Sequence, residues 1–420
     1  MKRNYYQKFI LFILAIFTLI VMFSCESIFQ NSDTDTNSNS LKSIPKSVIN
    51  AQNDFAMDLF RQINKEKADS NIFISPISVE FALTMTMNGA DGGTFSEMSE
   101  VLDYGEADLK TINSSCNTLI KELESLTSDS ITLNLANSIW YKNSYTLQDT
   151  FKSLNQDYFQ AKIEGLDFTK QKHSLNRING WVADKTEGKI KKLVDNIGPR
   201  SMMFLINAIY FKADWEYTFD KEETYEGKFN LRNGKEVSCQ MMKIKQEYSY
   251  YSNDKVQAID IPYANNNYTM TVILPNAQTD VNFFTENFTR NQYETILNKF
   301  EKDSVNLFFP KLKLDYSIEL KKALKALGMK NPFEPGKANF SKMFKEIKEG
   351  LYISKVKQKS YLNVDETGTE ATAATVVEIK YTGTGGNDEI YMRLDQPFLF
   401  FIREKRTGTI LFSGKIMDPR

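Results

Sequence analysis

Histidine and cysteine are scarce in this sequence. Its 420 residues include a single histidine, His173, and three cysteines that form no CxxC pair. A metal site built from nitrogen and sulfur ligands has almost no donors here, and we expect neither a metal nor another cofactor. A Ser-His or Cys-His hydrolase would have to use His173, which lies at the start of a predicted amphipathic helix. The sequence therefore disfavours an enzyme.

An excess of charge of one sign is also missing. Lysine and arginine total 52 against 53 acidic residues, and no basic stripe runs between the aromatic residues, so nucleic acid is not an expected partner. The stretch "TGTGG" at residues 382–386 lacks the Lys-Ser/Thr pair and the helix of a phosphate-binding loop. Hydrophobic residues make up 41% of the chain, which is enough for a large globular core.

Residues 1–24 are typical of an export signal. A positively charged flank precedes an apolar run at 9–23 that is short for a membrane span, which needs about 20 residues, but suits a signal-peptide core. The small residue before Cys25 resembles a bacterial lipoprotein cleavage site, after which Cys25 would carry the lipid. An ordinary secretory signal with a chance cysteine is the alternative. We expect an exported lipoprotein, anchored in the membrane on its periplasmic or cell-surface side.

Residues 25–46 are polar and lack apolar periodicity, which predicts a solvated tether. No second linker follows, so we expect residues 47–420 to form one domain and the protein to be monomeric. Cys116 and Cys239 remain in that domain. Their separation matches no disulfide framework, so two buried free thiols are predicted.

Apolar spacing predicts helices in the first half of the domain. The spacing is helical at 53–67, 149–161 and 174–185, and a further helix should begin near Ser317 and stop at Gly328. Within residues 75–90, Ser75 is a plausible N-cap. Pro76 then takes the first helical position, where its missing N–H has no cost.

Strands dominate the second half. The longest apolar strand candidate, residues 202–211, predicts a strand buried on both faces, and Asn207 at its centre therefore needs a partner from elsewhere. Further β-branched and aromatic runs lie at 268–274, 305–314, 397–402 and 409–416. The predicted fold class is α+β, with helices packed on large, mainly antiparallel sheets.

Several segments, in this order, resemble the serpin family. They are "NIFISPISVEFALTMTMNGADGGT" at 71–94, "INAIYFKADWEYTFD" at 206–220, "YLNVDETGTEATAAT" at 361–375, "LDQPFLFFI" at 394–402 and "GTILFSGKIMDP" at 408–419. The resemblance covers nearly everything from Val48 to Arg420. It implies the serpin fold with an exposed reactive-centre loop, and suicide-substrate inhibition of serine proteases, with cysteine proteases also possible targets.

The residues of the loop suit insertion into a sheet. Period two places Thr369, Ala371, Ala373, Thr375 and Val377 on one face, and each is small or β-branched. No proline interrupts the run, and its one charged side chain falls on the other face. The resemblance assigns the hinge to Glu366, Gly368, Thr369, Glu370, Ala371, Thr372, Ala373, Ala374 and Thr375.

The resemblance places the scissile bond at Thr382–Gly383. Thr382 suits an elastase-like protease, whereas cleavage after Tyr381 would suit a chymotrypsin-like enzyme and cleavage after Lys380 a trypsin-like one. Without the resemblance, residues 378–390 would be interpreted as a mobile hairpin tip whose glycines serve turn geometry.

The resemblance also assigns two regions that control insertion. One, called the shutter in the family, comprises Ser75, Ser78, Asn207 and Gln358. Gln358 stands where the family usually has histidine, and since an amide does not titrate, opening should depend less on pH.

The other region, called the breach, comprises Trp215 and an ion pair between Lys311 and Glu366. Helix capping, core packing and a solvated ion pair are the alternative interpretations of these two groups of residues. Two other functions also remain open: a non-inhibitory serpin, which the small hinge residues disfavour, and a cell-surface binding lipoprotein.

Overall fold

A computed structural model describes residues 44–369 and 389–420. They lie within one compact unit, Ser43–Arg420. The predicted export signal, the lipidation site Cys25 and nearly all of the tether lie outside the described residues. So do hinge residues 370–375 and the predicted scissile bond with its alternates.

Helices alternate with the first strands and then become sparse. They are α1 Lys46–Glu66, α2 Pro76–Met87, α3 Gly92–Val101, α4 Leu109–Ser125, α5 Asp149–Phe159, α6 Gln171–Lys185, α7 Val281–Asn287, α8 Arg290–Leu297 and α9 Lys321–Ala326. Helix α2 is apolar nearly all round and almost wholly buried, as expected for a helix at the centre of a fold. Pro76 occupies its first turn as predicted, but the Ser75 side chain makes no capping hydrogen bond.

The strands form two sheets. The strands are β1 Ile72–Ile74, β2 Ile131–Lys142, β3 Lys162–Leu166, β4 Met203–Asp214, β5 Tyr225–Asn230, β6 Glu236–Ser252, β7 Val256–Pro262, β8 Tyr268–Pro275, β9 Glu301–Pro310, β10 Leu312–Glu319, β11 Lys357–Val364, β12 Gly368–Thr369, β13 Ile390–Arg393, β14 Phe398–Glu404 and β15 Ile410–Ile416. One sheet has the order β1-β15-β14-β8-β7-β6-β9-β13, with β5 paired to β6, and the other the order β10-β11-β12-β4-β2-β3. Only β2/β3 and β9/β13 pair in parallel among the described strands, which confirms the predicted α+β class.

Two predicted elements differ from the structure. The run 305–314 is not one strand: it breaks at Lys311, whose backbone N–H donates to the Gln240 carbonyl at 2.8 Å. The helix predicted from Ser317 begins only at Lys321, because 312–319 pairs in full register with β11. Burial along β10 largely alternates, as in a strand with one buried face. Pairing within the sheet therefore outweighs the local helical spacing.

Strand β4 is buried on both faces over residues 208–211, as its apolar run predicts, but residues 203–205 and Asn207 are only half-buried. Helix α2 contacts the strand. Ile206 and Ala208 pack in an apolar cluster with α6 and the chain that follows it. Asn207 lies directly opposite Asn137 of β2, and its amide donates to the Asn137 amide oxygen at 2.8 Å. This contact supplies the partner that an amide within a buried strand requires.

Candidate functional site

The candidate site is the short strand β12, which lies between β4 and β11. Gly368 and Thr369 pair with Asp214 and Ala213 of β4, and Thr369 also pairs with Val364 of β11. Both ladders are antiparallel. The chain leaves β11, turns, and re-enters the same sheet beside it. The start of the predicted hinge is therefore already a strand of the sheet.

Gly368 permits this entry because the backbones approach closely. A Cβ atom at this position would lie 2.2 Å from the Ala213 carbonyl oxygen, a distance that requires the backbone to shift. Glycine is therefore needed here for the close approach of two main chains.

An ion pair anchors the turn before β12. Lys311 Nζ lies 2.7 Å from Glu366 Oε1, and the Thr224 hydroxyl donates to the same oxygen at 2.8 Å. Burial alone would raise the pKa of Glu366, but the Lys311 ammonium and the Thr224 hydroxyl outweigh it, so the pKa lies below its usual range. The backbone takes part as well, since the Phe219 N–H donates to the Glu366 carbonyl at 2.9 Å. The pair predicted between Lys311 and Glu366 is present.

Two stacked aromatic rings hold the turn from the other side. The Trp215 indole N–H donates to the Asp365 carbonyl at 3.0 Å, and the Trp215 ring stacks on Tyr263 with centroids 4.5 Å apart. The Tyr263 hydroxyl lies 2.8 Å from Thr369 Oγ1 in the buried core. Sequence reasoning found Trp215 but missed Tyr263 and Thr224, because both act through long-range contacts that leave no local pattern.

Below Thr369, the edges of β4 and β11 face the same path. Over residues 203–212 of β4 and 357–363 of β11, the described part of the chain supplies no partner strand on these edges. Strand β11 alternates strictly, with its even-numbered residues buried and its odd-numbered residues half-buried. The two edges therefore define a path for one strand with a core face and an outer face, which we call the strand path.

Ser75 and Gln358 meet at the lower part of this path. The Gln358 amide donates to the Ser75 carbonyl at 2.7 Å and accepts from the Ser75 N–H at 3.2 Å. Glutamine here is held by reciprocal bonds to the main chain that starts α2. Ser78 is buried nearby on the same helix.

The resemblance groups Asn207 with Ser75 and Ser78, but among the described hydrogen bonds its amide donates to Asn137 and to neither serine. Three buried oxygens of this region have no hydrogen-bond partner: Ser75 Oγ, Asn207 Oδ1 and Ser360 Oγ. Buried polar atoms without partners are uncommon in folded proteins. These three oxygens can therefore still accept hydrogen bonds from an additional donor.

The described residues contain no cluster of His, Cys, Asp and Glu side chains that could hold a metal ion. None of their helices combines the length and the apolar character that a membrane span requires. Both Cys116 and Cys239 are free thiols, as predicted; Cys116 is buried, but the prediction of burial is wrong for Cys239, which is half-buried.

Comparison with known proteins agrees with this geometry. Residues 50–419 match the family model described as Serpin (serine protease inhibitor). Human Serpin B8 is 34% identical over 377 residues, covering 88% of this chain and 98% of its own. The native structure of the thermophilic serpin tengpin superposes with a TM-score of 0.80 at 32% identity, covering 88% of this chain and 94% of its own.

Human thyroxine-binding globulin, solved in complex with thyroxine, superposes with a TM-score of 0.80 at 25% identity and covers 89% of this chain and 98% of its own. The similarity therefore extends over almost the whole of each of these chains. The fold, the entry of the hinge into the sheet and the sequence match lead to one conclusion: the chain belongs to the serpin family, whose members are in general protease inhibitors rather than enzymes.

Proposed function

We propose that this protein inhibits serine proteases, with cysteine proteases as a second target class, as a suicide substrate whose cleaved loop becomes a new strand of the sheet that contains β4 and β11. The observation that supports this most directly is β12. Gly368 and Thr369 of the hinge already pair with β4, and Thr369 also pairs with β11, so insertion would lengthen two ladders that have already begun.

The register of β12 determines where each later residue would lie. Continuing from the Thr369–Ala213 and Thr369–Val364 pairs, each step forward in the loop is one step back in β4 and in β11. Thr375 then falls between Asn207 and Gln358. Directly paired residues share a face, so Thr375 follows Thr369 onto the core face.

This register suits the composition of the loop. The core face receives Ala371, Ala373, Thr375 and Val377, which are small or β-branched, and Glu370 takes the outer face. At the lower end, the Thr375 hydroxyl would meet Asn207 Oδ1, one of the unpartnered oxygens. A hydroxyl can donate to this acceptor without a new cavity in the core.

The chemistry assigns one bond broken and one formed. The protease nucleophile attacks the Thr382 carbonyl and forms an acyl-enzyme, the Thr382–Gly383 amide bond breaks, and Gly383 becomes a new amino terminus. The severed strand then inserts and carries the acylated protease along the sheet before water hydrolyses the ester. Each new ladder hydrogen bond contributes about 1 kcal/mol net, and burial of the core-face side chains adds to this. A kinetic barrier would therefore hold the uncut form.

The target and the location are part of the proposal. Thr382 favours an elastase-like protease, whereas cleavage at Tyr381 or Lys380 would indicate a chymotrypsin-like or trypsin-like target. Lipidation of Cys25 would anchor the inhibitor in a membrane, with its serpin domain in the periplasm or on the cell surface. It would meet its target proteases there.

Electrophoresis of mixtures with elastase-, chymotrypsin- and trypsin-like proteases tests the proposal. We expect an adduct that survives SDS and is heavier than either component, and a small C-terminal fragment whose mass starts at Gly383. Ala371→Arg should abolish the adduct and leave a plain substrate, because its neighbours by register, Phe211 and Leu362, are buried.

The adjacent substitution Glu370→Arg is the matched control. It adds the same side chain to the outer face, where the neighbours by register, Lys212 and Asn363, are half-buried, and it should keep the adduct. If wild type forms no adduct with any of the three protease classes, or if Ala371→Arg forms as much adduct as wild type, the proposal is wrong. Cleavage without an adduct in wild type would instead support a non-inhibitory role, such as the ligand binding that the thyroxine complex shows for its relative.

A further inference from the structure

The chain between α6 and β4 crosses the strand path on its outer face. On the β4 side, Ile190, Leu193, Val194 and Ile197 are buried in the apolar cluster that includes Ile206 and Ala208. Asn179 of α6 fixes this segment, because its amide oxygen accepts from the N–H groups of Leu193 and Val194 and its amide nitrogen donates to the Val194 carbonyl. We call residues 186–197 the roof.

The roof also reaches β11. Lys357 Nζ lies 2.6 Å from Asp195 Oδ2, and Lys189 Nζ lies 5.0 Å from the centre of the Tyr361 ring. Lys357 and Tyr361 belong to the odd-numbered, outer face of β11. By the register of β12, the even-numbered residues of β4 under the apolar cluster share this face. The roof therefore spans the strand path from one edge to the other.

A covered path creates a topological problem. The inserting strand ends at the acylated protease, and a body of that size cannot be threaded beneath a segment that is attached on both sides. The roof has to detach from one edge while the strand passes. Which edge opens depends on the strength of the two attachments.

The two attachments differ in kind. Each aliphatic side chain on the β4 side is at most 9% exposed, and removing one such contact shifts an equilibrium by about tenfold or more. On the β11 side, Asp195 is 47% exposed and Lys357 24% exposed. A pair of this kind shifts an equilibrium by about five-fold at most, and an exposed cation–π contact is of similar strength.

We propose that the Asp195–Lys357 ion pair, assisted by Lys189 over Tyr361, is a clasp that must release for the strand to insert, so that the roof opens on the β11 edge. The inference rests on the proposed function. Asp195 and Lys357 are then positioning residues that set the rate of insertion. Because insertion competes with hydrolysis of the acyl-enzyme, this rate also sets the ratio of trapped adduct to cleaved, released inhibitor.

Asp195→Asn is the principal variant, because it removes the charge and keeps the shape. We expect insertion after cleavage to accelerate about two- to five-fold and the ratio of cleaved inhibitor to adduct to fall by a similar factor. Stopped-flow tryptophan fluorescence can follow the rate, since Trp140 and Trp181 pack in the same apolar cluster as the roof, with ring centroids 5.9 Å apart. A Trp181→Phe background identifies their part of the signal.

Two further variants test whether the effect comes from loss of the clasp itself, rather than from a change in net charge or from damage to the fold. The exchange Asp195→Lys with Lys357→Asp should restore the wild-type rate, because it rebuilds the pair in reverse. Lys192→Gln is the matched control: Lys192 Nζ lies 3.7 Å from Asp195 within the roof itself, so its loss changes the charge of the roof without touching β11. It should leave the rate unchanged.

An unchanged rate in Asp195→Asn, or an equal acceleration in Lys192→Gln, would overturn the clasp. Amide hydrogen exchange of residues 186–197 in the uncut protein supplies a readout that needs no protease. It should rise in Asp195→Asn and not in Lys192→Gln, and an absent rise also overturns the proposal. If wild type forms no adduct at all, the proposed function fails instead. The amide hydrogen exchange result would still decide whether the clasp exists.

Discussion

A buried carboxyl under the sheet makes the stability of this protein depend on pH in an unusual direction. Glu80 is 1% exposed in the middle of α2. The Tyr104 hydroxyl donates to Glu80 Oε1 at 2.7 Å and lies 2.8 Å from the Thr84 hydroxyl. Burial raises the pKa of Glu80 from its ordinary 4.5 to about 8, and the hydrogen bond from Tyr104 offsets only part of this effect.

The substitution Glu80→Gln should therefore stabilise the fold. Since pH 7 lies about 2.5 pH units above the ordinary pKa, keeping the carboxyl neutral in the folded state costs about 3 kcal/mol at about 1.4 kcal/mol per unit. Glutamine is neutral at every pH and its amide oxygen can still accept from Tyr104. At roughly 1–2 °C per kcal/mol for a domain of this size, the unfolding midpoint at pH 7 should rise by about 3–6 °C.

The pH dependence gives the sharper test. Between pH 4.5 and about 8 the folded state keeps a proton on Glu80 that the unfolded state has lost, so the free energy of unfolding falls as pH rises. Glu80→Gln should lack this component of the fall. Thermal scans at one fixed rate from pH 5 to 9 measure the effect, and Glu100→Gln, at an exposed position on α3, controls for the loss of one charge. Parallel curves for wild type and Glu80→Gln over this range would refute the reasoning.

Three further predictions concern the hinge. Gly368→Ala should lower the free energy of unfolding in urea by about 1–3 kcal/mol and lower the adduct yield, because the new Cβ would collide with the Ala213 carbonyl. An unchanged free energy of unfolding would show that the two backbones can move apart without cost. Tyr263→Phe removes one buried hydrogen bond to Thr369 and should cost about 1 kcal/mol in the same assay, whereas no loss would mean that the bond contributes nothing. Glu366 stabilises the hinge above its ordinary pKa of 4.5, and this contribution of about 1 kcal/mol or less is lost as pH falls through its lowered pKa. Glu366→Gln should therefore weaken protection of β12 from hydrogen exchange at pH 7, and its difference from wild type should shrink as the pH falls through the lowered pKa of Glu366. Equal protection at pH 7 would contradict the role of the ion pair.

Much of the fold follows from local pattern. Helices α1, α5 and α6 match their apolar spacing to within a few residues at most boundaries, and β4, β8, β14 and β15 match their β-branched and aromatic runs. These elements are long, strongly patterned and supported by the core on the predicted face. The predicted start of α9 at Ser317 is wrong because strand pairing with β11 outweighs the helical spacing of residues 317–319.

The site was predictable only in part, and largely through resemblance. The Glu366–Lys311 pair and the place of Trp215 beside the hinge are present in the structure. Asn137 as the partner of Asn207 was not found, because the two are 70 positions apart and meet only through strand pairing. The roof was missed for the same reason: its contacts to β11 join residues more than 160 positions apart, and no periodicity encodes them.

The short strand β12 also fixes a phase. A strand has only two faces, so one residue added to or removed from the turn between Val364 and Thr369 would exchange every inward side chain of the following segment for an outward one. If the loop inserts as proposed, this turn decides which of its side chains face the core. The proposed core-face residues end at Val377 and the proposed scissile bond lies beyond them, so substitutions near Thr382 that change the target protease would leave the residues that must fit the core unaltered.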